Sequence, residues 1–196
     1  MSLIIGLTGT SGSGKSTAAK ELEKKGYLII DLDSVTHSVY TDCEDCKNEL
    51  KEIFGDCVIK DGAVNRRYLA KIVFSDKEKL SILNKTVHKY ILERLHKFLD
   101  ENKGKNIVID APLLFEAELD KICDVTVCVV CGFDKKIERI KKRDNISYDE
   151  ALMRLKNQKD DNYYIEKCDY AIENDDKIDI EKFEDFIINK VLGGAK

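Results

Sequence analysis

Short apolar runs alternate along this chain with segments whose apolar residues recur every three or four positions. The short runs are rich in β-branched residues and are typical of strands buried on both faces of a sheet, whereas the longer spacing is typical of amphipathic helices. Because the two patterns alternate from end to end, we predict an α/β fold with a mainly parallel sheet flanked by helices. The predicted strands are residues 3–7, 27–32, 106–110, 124–130 and 170–173.

The helical patterns include a long excursion without a central strand. Within it, residues 66–74 and 76–102 carry apolar side chains at helical spacing, and a short extended piece with a turn is expected at residues 58–62. We therefore expect residues 34–104 to form a helical insert inside a single domain that spans residues 1–196. Further helices are predicted at residues 16–25, 135–143, 147–158 and 180–192.

Three tetrapeptides match the Ser/Thr-x-x-Glu capping box, in which the two outer side chains satisfy backbone N–H groups at the start of a helix. Each stands before a helical pattern, so each predicts the first turn of a helix. The three pairs are Thr41 with Glu44, Ser75 with Glu78, and Ser147 with Glu150.

The turn between the first predicted strand and the first predicted helix reads Gly-Thr-Ser-Gly-Ser-Gly-Lys-Ser over residues 9–16. This spacing, between a strand and a helix, is that of a phosphate-binding loop. Its glycines let backbone N–H groups point at phosphate oxygens, and the helix N-terminus adds partial positive charge. Lys15 would reach the β- and γ-phosphates and the Ser16 hydroxyl would ligate Mg²⁺. A chance glycine-rich loop that opens a helix is the alternative. The loop residues expected to bind the nucleotide are Gly12, Ser13, Gly14, Lys15, Ser16 and Thr17.

Asp31 and Asp33 stand at the carboxyl end of the second predicted strand, the edge at which open parallel sheets bind ligands. A carboxylate there can accept a hydrogen bond from a hydroxyl group and orient it for in-line attack on a γ-phosphate. The residues alone do not rank the two aspartates. Asp33 could instead be the N-cap of a helix over residues 34–40.

Asp110 ends the predicted strand 106–110, as a Walker-B aspartate does, and would hold Mg²⁺ directly or through water. An aspartate that starts a turn before Ala111 and Pro112 is an equal alternative. The sequence therefore offers Ser16 and Asp110 as metal ligands.

The predicted helix 135–143 is strongly basic. Lys136, Arg139 and Arg143 share one of its faces, while Ile137 and Ile140 mark the other. Such a helix could be a lid whose arginines neutralise charge on a transferring phosphoryl group. The alternative is a charged face that is simply solvated.

Composition limits the partners and the compartment. The formal net charge of -4 gives no electrostatic case for a nucleic-acid partner. No stretch approaches the roughly 20 apolar residues of a membrane span, and the first apolar run is too short for a secretory signal. With seven cysteines, an odd number, a reduced cytoplasmic compartment is expected. The Cys43/Cys46 pair is expected in an acidic helical segment on the surface, which leaves a redox role open. Cys128 and Cys131 are expected on opposite faces of a strand, which disfavours a zinc site.

The order of several motifs resembles the dephospho-CoA kinase family. The similar segments are Leu-Thr-Gly-Thr-Ser-Gly-Ser-Gly-Lys-Ser-Thr at 7–17, Ile-Asp-Leu-Asp at 30–33, Asp-Gly-Ala-Val-Asn-Arg-Arg at 61–67, residues 83–88, Asp-Ala-Pro-Leu-Leu-Phe-Glu at 110–116, Arg139, Arg143-Asp144, Gln158 and residues 169–174. The resemblance covers residues 3 to about 192. The 61–67 and 110–116 segments are far more specific than the phosphate-binding loop, which many kinases share.

This resemblance implies a kinase that phosphorylates the 3′-hydroxyl of dephospho-coenzyme A with ATP and Mg²⁺, the last step of coenzyme A synthesis. It also implies a P-loop kinase fold of the nucleoside-monophosphate-kinase type. The expected architecture is a five-stranded parallel sheet of order 2-3-1-4-5, with residues 34–104 as the substrate-binding insert and residues 135–158 as the lid. A monomer acting on small molecules is expected. Another P-loop nucleoside or nucleotide kinase is the alternative.

The resemblance also implies roles for individual residues. Asp33 would be the catalytic base, and Lys15 and Arg139 would act on the transferring phosphoryl group. On the ATP side, Arg143 and Asn174 would join the loop. The acceptor would be held by Asp33, Arg66, His88, Pro112 and Leu113.

The chain departs from the family's usual pattern at three places. Thr10 and Ser11 stand where the family has Gly-Ile, Lys89 follows His88 where the family has proline, and Asp175-Asp176 stands where glycine is common. The first departure keeps the spacing of the phosphate-binding loop.

Overall fold

The computed structural model describes residues 2–175 and 178–187. The longer strands coincide with the apolar runs, because a run that is apolar at every position can be buried on both faces. The described residues form seven strands, β1 Ile4–Thr8, β2 Leu28–Asp31, β3 Ile59–Lys60, β4 Ala63–Val64, β5 Ile107–Asp110, β6 Val125–Val130 and β7 Tyr170–Glu173.

Five of these strands form one sheet in the order β2-β5-β1-β6-β7, flanked by helices. The parallel register pairs Leu7 with Asp110 and with Val127. Numbered among themselves, the five strands run 2-3-1-4-5, as the resemblance implied. The full chain numbering differs because β3 and β4 form a separate antiparallel pair, where only a short extended piece with a turn was expected.

The helices follow the predicted pattern with differences at their ends. α8 was not predicted, and the last predicted helix, 180–192, is described only to residue 187, so residues 188–192 lie outside the described part. Within that part, no helix combines the length and the apolar character needed to cross a bilayer. The helices are α1 Lys15–Lys24, α2 Leu32–Asp42, α3 Glu44–Phe54, α4 Arg66–Val73, α5 Lys77–Glu101, α6 Phe133–Asp144, α7 Tyr148–Lys156, α8 Asp161–Lys167 and α9 Ile180–Ile187.

The chain divides into two compact units. The first comprises residues 1–29 and 104–196 and contains the phosphate-binding loop. Its main core joins the sheet to α1 and α9, with Ile5, Leu22 and Phe183 buried at its centre.

The second unit comprises residues 30–103, and α2 to α5 pack around its own core. Cys46 is completely buried there beside Leu50, so the expectation of a surface position for this cysteine is wrong. Lys47 is also buried, and its ammonium donates to Glu44 Oε1 at 2.6 Å and to the Gly62 carbonyl at 2.8 Å. These bonds satisfy a buried charge that would otherwise be costly.

The start of α2 assigns different tasks to the two neighbouring aspartates. Asp31 is the N-cap, since its carboxylate accepts hydrogen bonds from the Asp33 backbone N–H at 3.0 Å and from the Ser34 hydroxyl at 2.8 Å. The alternative that made Asp33 the N-cap is therefore wrong, and Asp33 lies in the first turn with an exposed side chain.

Only one of the three predicted capping boxes is formed as predicted. Ser147 and Glu150 bond each other's backbone N–H groups, at 3.3 and 2.8 Å. At the second site Asp76 caps α5 in place of Ser75. At the third, the Thr41 hydroxyl donates back to the His37 carbonyl within α2. A nearby carboxylate, or a backbone carbonyl in the preceding helical turn, competes successfully with the predicted box.

Ser147 caps its helix whereas Ser75 does not, so the two serines provide a matched pair of variants. Removal of a capping hydroxyl costs roughly 0.5–2 kcal/mol, which lowers the melting temperature of a domain this size by about 2–4 °C per kcal/mol. We expect this loss for Ser147→Ala and a negligible change for Ser75→Ala, both measured by thermal unfolding followed by circular dichroism. Equal losses in the two variants would contradict the assignment of Asp76 as the cap.

Candidate active site

The phosphate-binding loop curls between β1 and α1. Gly9 and Gly14 have φ values of 144° and 95°, in the region that favours glycine. The Ser13 N–H donates to the Thr10 carbonyl at 3.2 Å and closes the curl. Gly14 is the N-cap of α1 and supplies no capping side chain. The Thr17 N–H bonds back to the Gly14 carbonyl at 2.9 Å. The N–H groups of Lys15 and Ser16 have neither an intrahelical partner nor a side-chain cap among the described residues, which is the arrangement that binds anions.

Lys15 and Asp110 form an ion pair beside this loop. Asp110 ends β5, and its register partner Leu7 lies two residues before Gly9 on the neighbouring strand. The two side chains are only 15% and 9% exposed. The structure therefore brings the predicted phosphate-binding lysine together with the predicted metal-binding aspartate, each neutralising the other's buried charge.

Arg139 and Asn174 grip the loop through its carbonyl groups. The Arg139 guanidinium donates to the Gly12 and Ser13 carbonyls at 3.3 and 3.1 Å and to the Asn174 carbonyl at 2.9 Å. The Asn174 side chain, in a residue only 5% exposed, donates to the Ser13 carbonyl at 2.8 Å. A trans peptide places its N–H opposite its carbonyl. The Gly14 N–H therefore faces away from Arg139 and Asn174.

The same packing explains why glycine is required in the loop. A Cβ at Gly14 would lie 1.7 Å from Asn174 Nδ2, and a Cβ at Gly12 would lie 2.7 Å from the Lys136 carbonyl oxygen. α6 thus packs directly against the loop backbone. The loop glycines serve close approach as well as backbone conformation.

The three cations predicted to share a face of α6 have different surroundings. Lys136, 6% exposed, pairs with Asp161, and Arg139 holds the loop. Arg143 is exposed and binds both oxygens of Asp144, at 2.8 and 2.9 Å. Hydrogen bonds from Arg143 and then from Arg154 lower the pKa of Asp144 to about 2. The alternative prediction, that the charged face of this helix is only solvated, fits Arg143 but does not fit Lys136 or Arg139.

Pro112 and Leu113 follow Asp110 directly. The Pro112 carbonyl accepts a hydrogen bond from the Thr8 hydroxyl at 3.3 Å, which ties this turn to the end of β1. Leu113 is 62% exposed, so an apolar part of a ligand could cover it.

The predicted acceptor residues of the second unit are on separate helices. Arg66 begins α4, and its guanidinium lies over the Tyr40 ring, 5.6 Å from the centroid. His88 is on α5, and its Nε2 atom is buried without a hydrogen-bond partner among the described residues. Within that same part of the chain, no hydrogen bond or ion pair joins Asp33, Arg66 and His88 to one another.

Sequence reasoning missed two residues of these sites. Tyr40, beside Arg66, gives no signal beyond an aromatic residue in a helix. Asp161 contacts the Thr10 hydroxyl at 3.1 Å and begins the unpredicted helix α8. The acidic pair at 160–161 was the available signal, since Asp160 caps α8 by accepting from the Tyr163 N–H at 3.0 Å.

Comparison with known proteins identifies a family that this chain matches. The family model for dephospho-CoA kinase matches residues 3–179. The chain is 34% identical to the dephospho-CoA kinase of Fusobacterium nucleatum over 90% of this chain and 92% of the relative. It is 32% identical to that of Thermus thermophilus over 99% and 94% of the two chains.

Solved structures agree with this fold. A Thermus thermophilus crystal structure superposes with a TM-score of 0.80 at 31% identity, covering 100% of this chain and 98% of the other. The dephospho-CoA kinase from Campylobacter jejuni gives a TM-score of 0.65 at 22% identity over 90% of each chain, a likeness of fold alone.

The contact between Gly14 and Asn174 leads to a prediction. Gly14→Ala should weaken ATP binding roughly tenfold or more, because the new methyl group displaces Asn174 and removes a buried hydrogen bond worth about 1–3 kcal/mol. Isothermal titration calorimetry with ATP measures this effect.

Gly26→Ala is the matched control. Gly26 also has a positive φ, 91°, but no atom lies within 4 Å of a Cβ there. The control should lose some stability and keep its affinity for ATP. Equal ATP affinity in both variants would show that the Gly14 contact does not shape the loop.

Proposed function

This chain belongs to the dephospho-CoA kinase family, and we propose how its residues carry out the ATP-dependent phosphorylation of dephospho-coenzyme A at the 3′-hydroxyl. The observation that carries the proposal is the Lys15–Asp110 pair beside a loop with free helix N–H groups. In the reaction a bond forms between the acceptor oxygen and the γ-phosphorus, the bond to ADP breaks, and the hydroxyl proton must leave.

The phosphate-binding loop is proposed to hold the ATP phosphates. Residues 12–17 would surround the phosphates, with the N–H groups of Gly12, Gly14, Lys15 and Ser16 as donors to phosphate oxygens. Lys15 would exchange the Asp110 carboxylate for the β- and γ-phosphates. This exchange replaces one anionic partner by another, so the buried ammonium never lacks a counter-charge.

Ser16 and Asp110 are proposed to hold Mg²⁺. A hydroxyl and a carboxylate are oxygen donors of the kind that Mg²⁺ prefers, and water and phosphate oxygens usually complete its coordination. When bound, the ion neutralises charge on the β- and γ-phosphates. The strand end at Asp110 and the first turn of α1 at Ser16 both border the loop, which supports this assignment.

Asp33 is proposed to orient and deprotonate the acceptor hydroxyl. β2 belongs to the same parallel sheet as β1, and the carboxyl ends of such strands meet at one edge. Both aspartates are exposed, but Asp31 uses its carboxylate to cap α2, whereas the Asp33 carboxylate has no hydrogen-bond partner among the described residues. This difference favours Asp33 as the base over its neighbour.

The remainder of the acceptor is proposed to bind to the insert, residues 34–104, with Pro112 and Leu113 as further contacts. Arg66 would bind acceptor phosphates with its planar fork of donors. A buried nitrogen without a hydrogen-bond partner is costly. Because His88 Nε2 has no such partner among the described residues, it supports a role in which a ligand group becomes its partner.

The segment 135–158 is proposed to be the lid. Arg139 would place positive charge beside the transferring phosphoryl group, with Arg143 and Asn174 on the ATP side. We also propose that the enzyme works as a monomer in the cytoplasm, without a nucleic-acid or membrane partner. Light scattering coupled to size-exclusion chromatography tests the oligomeric part.

Asp33→Asn tests the proposed base. The variant should lose about 10²–10⁴-fold in kcat, because an amide cannot take the hydroxyl proton, and it should keep its ATP affinity. A coupled assay of ADP release with dephospho-coenzyme A measures kcat, and a substrate panel with uridine and cytidine checks the acceptor.

Asp31→Asn is the control for that experiment. Asparagine caps helices about as well as aspartate does, so α2 should be retained and kcat should change little. A large loss in Asp31→Asn together with near-normal turnover in Asp33→Asn would exchange the two roles and contradict the proposal.

Arg66→Met tests the acceptor site. Charge-assisted hydrogen bonds contribute about 1.5–3 kcal/mol, so KM for dephospho-coenzyme A should rise roughly 10- to 100-fold while KM for ATP stays constant. Arg67→Met, at the neighbouring exposed position, is the matched control and should leave both constants near the wild-type values. Steady-state kinetics with each substrate varied in turn gives both constants. A rise in KM for ATP alone would contradict the assignment of Arg66 to the acceptor site.

A further inference from the structure

Two hydroxyl side chains at the start of the phosphate-binding loop are bonded to the segment that follows α7. The Ser11 N–H donates to Gln158 Oε1 at 2.9 Å, and Gln158 Nε2 donates to the Ser11 hydroxyl oxygen at 2.9 Å. Three residues after Gln158, Asp161 Oδ1 accepts from the Thr10 hydroxyl at 3.1 Å. We call these four residues and their three bonds the loop clamp.

Asp161 joins the loop clamp to α6. Its carboxylate also pairs with the ammonium of Lys136, a residue only 6% exposed. Lys136 is on the turn of α6 that packs against the backbone at Gly12. One carboxylate thus connects the loop, α6 and the first residue of α8, all within the first compact unit.

The loop clamp fixes a part of the loop to which Arg139 and Asn174 are not bonded. Arg139 and Asn174 hold the carbonyls of Gly12 and Ser13, whereas the clamp holds residues 10 and 11. The Ser11 N–H is already used by Gln158. The clamp therefore orders the start of the curl, while the N–H groups nearer α1 are left for a ligand.

A glycine-rich loop loses much conformational freedom when it closes around phosphates. Contacts that order it beforehand remove this loss from the binding step and so raise affinity. We propose that Gln158 and Asp161 are positioning residues that hold the phosphate-binding loop in its ATP-binding curl, through Ser11 and Thr10. This inference rests on the proposed function, since it requires that the loop binds ATP.

Variants at Thr10 test the inference. Thr10→Val keeps the shape and removes the hydroxyl, and it should raise the Kd for ATP about 3- to 10-fold, the effect of one net hydrogen bond. Thr10→Ser retains the hydroxyl and should bind ATP as the wild type does. KM for dephospho-coenzyme A should stay constant in both variants. General destabilisation would not change the Kd for ATP while leaving this KM constant.

Ser11→Ala and Gln158→Leu test the other half of the clamp. Ser11→Ala removes one bond and Gln158→Leu removes two, so the second variant should show the larger rise in the Kd for ATP. Asn162→Ala, an exposed change in α8, is the control and should leave the Kd unchanged. Should Thr10→Val fail to fold, these variants decide the question.

A double-mutant cycle links the hydroxyl to its acceptor. Thr10→Val and Asp161→Ala together should raise the Kd for ATP by less than the product of the two single effects, because both remove the same bond. Isothermal titration calorimetry with ATP serves for every variant.

The failures of the two proposals are distinguishable. A wild-type protein that does not bind ATP overturns the proposed function. Normal ATP binding by the wild type, with an unchanged Kd in Thr10→Val and Gln158→Leu, or equal effects of Thr10→Val and Thr10→Ser, overturns the loop clamp alone.

Discussion

A loop that presents unpaired N–H groups to a ligand must find donors for its own carbonyls, and the phosphate-binding loop depends on this constraint. Arg139 and Asn174 supply the donors at Gly12 and Ser13. Arg139 belongs to α6 and Asn174 directly follows β7, so both are far from the loop in sequence. Side chains remote in sequence therefore help to shape a site whose motif is contained in eight residues.

Buried charges near the loop are arranged in pairs. Lys15 faces Asp110 and Lys136 faces Asp161, and all four side chains are at least three-quarters buried. Removal of one member of such a pair leaves an uncompensated charge, which costs more than the pair contributes. The two pairs differ in what they can do. Lys15 borders the free N–H groups of α1 and can exchange its partner for an anion, whereas Asp161 is also bonded to Thr10 and stays tied to the loop.

Much of the fold could be predicted from the sequence, because apolar runs and helical spacing report burial directly. The limits are local competitions and long-range contacts. Ser75 and Ser147 have the same pattern, but Asp76 is a stronger acceptor beside the first and has no counterpart beside the second. α8 was missed because seven residues are too few for a periodicity. The sequence predicted Arg139 as a charged lid residue, but its carbonyl partners are set by tertiary packing.

The two aspartates at the carboxyl end of β2 show how the structure separates two roles that the sequence pattern could not assign. Both stand at the carboxyl end of a strand, so spacing alone cannot divide their roles. A helix that starts directly after the strand needs an acceptor for its first N–H groups, and the residue before the helix is the one placed to supply it. Asp31 meets that need. The cap in turn fixes the backbone of Asp33 on the first turn of α2, a rigid element from which an exposed carboxylate can act with a defined direction.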